Sequence, residues 1–263
     1  MRHTHALSLG SYNRFVRVEP VRILRRAYLF RDLGPAELEP LAASAAFRHF
    51  DRGERIAGTG DPATSLFVVA EGQVRSWTVT ADGEEYVFDV TTTGGVLGEP
   101  GLFAPGRTRV VNMSAMGPAG VLEIPRQVLI DFLFAHRPAM LRMLEGLAGS
   151  TRLLAMTNMD LAYEPVAQRV ARRLLDLAAS NGVERDDGAL ELDVSVSQTT
   201  LAGMVGASRP NVNRALQRLV ADGDLQLQGG RFVLLAPGRL QSRLDRGLGA
   251  LDPRNRRSEP EPV

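Results

Sequence analysis

The chain of 263 residues contains neither cysteine nor lysine. Without a thiol there can be no disulfide framework, no thiolate zinc site, no cysteine-held iron–sulfur cluster and no cysteine nucleophile. Without lysine there is no P-loop lysine, no Schiff base and no lysine general base. Long apolar runs are missing too. Nothing approaches the roughly 18 uninterrupted residues of a membrane span, and no apolar signal-peptide centre follows the arginine-rich start, Arg2 to Arg26. The expectation is a soluble, cytoplasmic protein with no membrane partner.

What remains is ordinary globular composition, 44% hydrophobic and 23% charged, in a length that suits about two domains. A formal net charge of +1 conceals a division along the chain. Residues 27–135 carry 8 arginines against 14 acids, and residues 194–250 carry 7 arginines against 3. An acidic front and a basic back suggest a polyanion as partner for the back, with a solvated charged face as the alternative.

The front reads as β-rich. Stretches such as Ser65 to Ala70, Val74 to Val79 and Tyr86 to Val90 are rich in β-branched and aromatic residues, and Gly60-Asp61-Pro62, Glu71-Gly72 and Asp82-Gly83 punctuate them. That spacing predicts a sandwich or barrel-like roll, preceded by a short helix after Gly34-Pro35. From Pro138 the pattern changes. Met140, Leu144, Leu147, Thr151, Leu154, Asn158 and Leu161 recur at alternating spacings of 4 and 3, a heptad seam that asks for a partner helix or for the roll itself. Tyr163-Glu164-Pro165 ends or kinks that helix. Val166, Val170, Leu174 and Leu177 then start another amphipathic helix, followed by a strand-like alternation from Leu190 to Val196. Five segments result: a basic N-terminal extension (1–26), a β-roll (27–136), a long helix (137–163), a C-terminal domain (164–246) and a disordered tail (247–263).

The most informative stretch is Gln198 to Gln217. Leu201 and Val205 share one face of a first helix, Ala202 is small where a second helix must approach, and Gly206 stands where the backbone must turn sharply. Ser208 as N-cap and Pro210 in the first turn mark the second helix, whose buried face is Val212 and Leu216. Its other face presents Arg209, Asn211, Asn213, Arg214, Gln217 and Arg218, side chains suited to base edges and phosphates. Gln198 and Thr199 can donate to phosphate from the first helix start. Downstream, Leu225 to Leu235 folds about Gly229-Gly230 as a hairpin, a wing whose Arg231 can meet a phosphate.

A Gly-punctuated roll, a heptad helix, a hinge and a winged helix-turn-helix, in that order, resemble the cyclic-AMP receptor protein and fumarate–nitrate regulator (Crp/Fnr) family of bacterial transcription factors. The resemblance spans Tyr28 to Leu235 and rests most on Gly98-Glu99-Pro100-Gly101-Leu102-Phe103 and on Gly206 to Arg214. It implies an α+β protein with a cyclic-nucleotide-binding-type roll, a homodimer through the long helix, double-stranded DNA with a near-palindromic operator as partner, and RNA polymerase as a further one. Arg209 and Arg214 match the family's reading arginines. Pro210 replaces a glutamate, which implies a different operator.

The resemblance also implies an effector cassette. Gly98 and Glu99 match it, and counting in register makes Arg109 the phosphate arginine, with Val110 where cyclic-AMP binders commonly place a hydroxyl. A slipped register uses Arg107 with Thr108 instead. The long-helix positions resembling the adenine contacts are Leu154 and Ala155, which lack hydroxyls, so any purine is expected to be held by packing. Cyclic AMP or cyclic GMP is one possible effector; a roll that is only structural, in a ligand-independent regulator or architectural DNA binder, is the alternative. The missing cysteines exclude the cluster-bearing oxygen sensors, and His49 and His136 read as surface or capping residues rather than haem ligands. No catalytic set emerges: Asp186 and Asp187 have no neighbouring nucleophile, and Ser208 is better used as a cap. The chain is read as a non-enzyme with no bound metal.

Overall fold

The computed structural model describes residues 19–249 except 82, 84, 193, 195 and 229. The arm before residue 19, the tail after 249, Asp82 and Gly229 therefore lie outside the described residues.

The chain enters through α1 (Pro20–Arg26) and α2 (Pro35–Ala43). The last part of the basic extension read over 1–26 is α1, whose Ile23 and Leu24 are buried in one core with Leu38, Leu66 and Leu122. The roll follows as β1 (Ala46–Phe50), β2 (Arg55–Ala57), β3 (Ser65–Glu71), β4 (Val74–Val79), β5 (Glu85–Thr91) and β6 (Val96–Leu97). After them come α3 (Glu99–Phe103), β7 (Asn112–Ala115), β8 (Ala119–Pro125) and α4 (Arg126–Ala135). Two four-stranded sheets result, ordered β1-β8-β3-β6 and β2-β7-β4-β5. The continuous apolar run in β3 has a simple cause. Alternate side chains point to opposite faces, so Leu66 and Val68 join the core under the helices while Phe67 and Val69 fill the roll interior.

The long helix α5 (Arg137–Tyr163) begins with Pro138 in its first turn and ends where Glu164, before Pro165, turns extended. Its start packs on the roll, where Ala139 and Met143 are buried, whereas Leu144, Leu154 and Met159 are each more than half exposed. The remainder is α6 (Val166–Asn181), β9 (Gly182–Glu184), β10 (Leu190–Leu192), α7 (Gln198–Val205), α8 (Arg209–Ala221), β11 (Leu225–Gln228), β12 (Arg231–Leu234) and α9 (Pro237–Gly249). Its sheet runs β11-β12-β10-β9. Leu240 and Leu244 of α9 close the core of this domain. At its edge Asp224, fully buried, accepts from Arg239 Nε at 2.8 Å and pairs with Arg243.

Candidate DNA interface and effector cassette

The helix pair α7 and α8 is built by local chemistry. Ser197 accepts from the Thr200 amide at 3.0 Å and so caps α7. Gly206 takes φ 57° and ψ 48°, the left-handed conformation that ends α7 and frees the chain to turn. Ser208 holds the N-cap position of α8 with extended backbone, but its hydroxyl makes no capping hydrogen bond; Pro210 supplies the pre-set φ of the first turn. Val212, Ala215, Leu216 and Leu219 bury one face of α8. Ser208, Arg209, Pro210, Arg214, Gln217 and Arg218 are exposed on the other, with Asn211 and Asn213 half-buried beside them. Arg214 donates to the side-chain oxygen of Asn211, which fixes both on that face. Gln198 and Thr199 lie at the α7 start, half-buried and exposed respectively. Arg231, at the first residue after the wing turn, pairs with Glu191 at 3.2 Å.

The cassette lies between β6 and β7. Gly98 takes φ 93°, and a Cβ at this position would run into the Arg109 guanidinium. Arg109 points inward at 3% exposure. It donates from Nη2 to the Ser65 carbonyl at 2.6 Å and from Nη1 to the Gly98 carbonyl at 3.4 Å, with its guanidinium 4.7 Å from the Phe67 ring centre. Burial lowers its pKa, opposed by the negative charges of Glu123, Asp61 and Glu99. Glu99 is half-buried and accepts from the Tyr28 hydroxyl at 3.3 Å. Burial raises its carboxyl above the usual range, against the Tyr28 hydrogen bond, and burial beside Glu99 pushes the Tyr28 phenol up as well.

The geometry separates the two registers. Arg107 is exposed at φ 47°, a strained conformation for a non-glycine residue, and Thr108 and Val110 are exposed beside it. Arg107 and Thr108 of the slipped register thus lie outside the interior onto which Arg109 points. Leu154 lines a small chamber with Tyr86 and Phe88, while Ala155 is exposed. His136 stacks on Phe132 at 4.0 Å between α4 and α5, and His49 packs edge-on against Phe47. Sequence reasoning missed Tyr28 and Ser65, both polar partners supplied from distant segments.

A roll carrying an inward arginine behind a left-handed glycine, a long helix and an exposed basic recognition helix define a DNA-binding regulator with a sensory domain. Family models match accordingly: a cyclic nucleotide-binding domain over residues 47–136 and a Crp-like helix-turn-helix domain over residues 168–243. The CRP-like cAMP-activated global transcriptional regulator of Mycobacterium tuberculosis is 30% identical over 222 residues, covering 84% of this chain and 98% of the relative. Among solved structures, the c-di-GMP-responsive regulator CLP of Xanthomonas campestris superposes with a TM-score of 0.63 at 27% identity, over 76% of this chain and 99% of that one. FixK2 of Bradyrhizobium japonicum shares the fold at a TM-score of 0.66 and 23% identity, over 75% and 96%. The chain belongs to the Crp/Fnr family of transcription regulators.

Proposed function

We propose that the protein is a homodimeric regulator that reads a near-palindromic operator with α8 and responds to a cyclic nucleotide held by Gly98, Glu99 and Arg109. The segments divide the work: roll 27–136 as sensor, 137–163 as dimerisation helix, 164–246 as DNA-binding domain. The observation that carries the DNA reading is the exposed row of Arg209, Arg214 and Arg218 opposite a fully apolar face of one helix. Arginine reads guanine bidentately, and two such helices related by a twofold axis fit successive major grooves. Arg209→Ala is expected to weaken a specific site selected from random duplexes by about 1–3 kcal/mol and to relax its sequence preference. Unchanged affinity and preference in fluorescence anisotropy would remove Arg209 from the reading set.

The cassette supports the nucleotide reading through one buried cation beside backbone groups, which suits a phosphate monoanion. A ligand-independent regulator is the second reading. It is favoured by the hydrogen bonds Arg109 already makes to Ser65 and Gly98, and by the absence of hydroxyls at Val110, Leu154 and Ala155. Isothermal titration with cyclic AMP and cyclic GMP separates the two, since only the first predicts heat that Arg109→Met abolishes.

A further inference from the structure

The recognition helix and the wing meet at one residue. α8 ends in a Schellman arrangement: Gly223 takes φ 70°, its amide donates to the Val220 carbonyl at 3.0 Å, and the Asp224 amide donates to the Leu219 carbonyl at 2.9 Å. The next residue, Leu225, opens the first strand of the wing. The Asp224 carbonyl in turn accepts from the Leu235 amide at 2.9 Å, just beyond the second strand. With its backbone alone, Asp224 ties the end of α8 to both ends of the hairpin.

Its side chain adds a third element. Leu240 and Leu244 seat α9 in the domain core beside α6, and this brings Arg239 and Arg243, one turn apart, to the turn between α8 and β11. Arg239 donates from Nε to Asp224 Oδ1 at 2.8 Å and from Nη2 to the carbonyls of Asp222 and Gly223 at 3.2 and 2.9 Å. Arg243 donates from Nη2 to Asp222 Oδ2 at 2.9 Å and from Nη1 to Asp224 Oδ2. Two guanidinium groups thus hold both carboxylates and two carbonyls of a three-residue turn.

Stability alone is a poor reason for such a cluster. A fully buried carboxylate is costly to desolvate, and apolar packing of similar volume often serves a fold as well or better. What a guanidinium fork supplies and a leucine does not is direction, because its planar donors fix the groups they hold. Direction matters here, since the turn sets the angle between the helix that reads bases and the hairpin that carries Arg231. Arg231 is 53% exposed in its pair with Glu191, an interaction weak enough to yield to a phosphate. Phosphate contacts fix the register of a DNA-binding domain on the duplex.

We propose that α9 is a clamp on the wing, and that Arg239 and Arg243 are positioning residues for DNA binding. They hold the turn 222–224 at the angle at which Arg231 meets a phosphate while α8 lies in the major groove. The proposal rests on the DNA-binding reading above and has neither arginine of α9 touch DNA.

A double-mutant cycle in the full-length protein tests it, read by fluorescence anisotropy across a salt series on an operator selected with the parent. Arg231→Ala should reduce the slope of log Kd against log salt by about 1, the loss of one phosphate contact. Arg239→Lys keeps a charge for Asp224 but not the fork that holds two carbonyls. It should also reduce the slope by about 1 and weaken binding about fivefold, with base preference unchanged. Arg231→Ala/Arg239→Lys should bind no more weakly than Arg231→Ala, because the clamp acts only through the wing. Arg243→Met, which leaves every bond of Arg239 in place, should show the same non-additivity with a smaller loss. Additive losses in both cycles, or a parental slope in both α9 variants even where urea denaturation shows them destabilised, would overturn the clamp. An unchanged slope in Arg231→Ala would overturn it too, since the wing would then have no phosphate to reach. A parent that selects no operator removes the DNA-binding reading itself, an outcome seen before any variant is made.

Discussion

Glu99 and Arg109 sit together in the cassette, and their surroundings act on them in opposite ways. Arg109 keeps its guanidinium among two carbonyls and the Phe67 ring, so its charge is compensated although burial opposes it. Glu99 is held by its own backbone amide and by the Tyr28 hydroxyl, and its carboxyl is nevertheless raised, mainly by burial. A carboxyl raised in the folded state binds its proton more tightly there than in the unfolded chain. Its contribution to stability therefore falls as pH rises from the ordinary carboxylate range through the folded-state value. Glu99→Gln removes that loss. Thermal melts should show the variant gaining on the parent between pH 4 and pH 8; a constant difference across that range would contradict the raised carboxyl. At this scale Gly98, Glu99 and Arg109 could be singled out from sequence because they lie within one short segment. Tyr28 and Ser65 could not, since only the closed roll brings residues 71 and 44 positions away to them.

Among the elements, those with a strong period were legible: the helix pair from Gln198, the hairpin about Gly229-Gly230 and the break at Pro165 coincide with α7, α8, β11, β12 and the end of α5. Two helices were not. α1 has only Ile23 and Leu24 as buried residues, and the arginines around them read only as a basic extension. α9 has Leu240 and Leu244 one turn apart, but its amphipathic pattern is short and adjoins a polar tail. What fixes α9 is tertiary: Arg239 and Arg243 converge on the fully buried Asp224. Removing one partner of a buried ion pair typically costs about 3–5 kcal/mol because the remaining charges lose their compensation. Asp224→Asn should lower stability by roughly the low end of that range, since both arginines are about half exposed. Urea denaturation with a midpoint equal to the parent's would show that α9 is held by Leu240 and Leu244 alone.

In the molecule as a whole, α5 joins a sensor to a reader and leaves an apolar face uncovered. Leu144 and Leu154 are 55% and 53% exposed on the heptad seam, although Ala139 and Met143 at its start are buried on the roll. The first turns of the seam pack on the roll, and the exposed leucines beyond them are the face proposed above to meet a second copy. Leu144→Asp/Leu154→Asp should convert the dimer to a monomer in sedimentation velocity, with the far-ultraviolet circular dichroism retained; a dimer that persists would place the interface elsewhere. The docking of α7 against β5 was invisible in the sequence, because Val87, Val90 and Gly203 each look like ordinary strand and helix residues until the two domains meet.

In the proposed function, occupancy of the cassette sets the affinity of α8 for DNA. Fluorescence anisotropy of a selected operator, titrated with full-length protein at fixed salt with and without millimolar cyclic AMP or cyclic GMP, tests it most directly. One of the two nucleotides is predicted to shift the operator Kd at least tenfold in the parent and to leave Arg109→Met unmoved. Superimposable isotherms for the parent in the presence and absence of both nucleotides would contradict it.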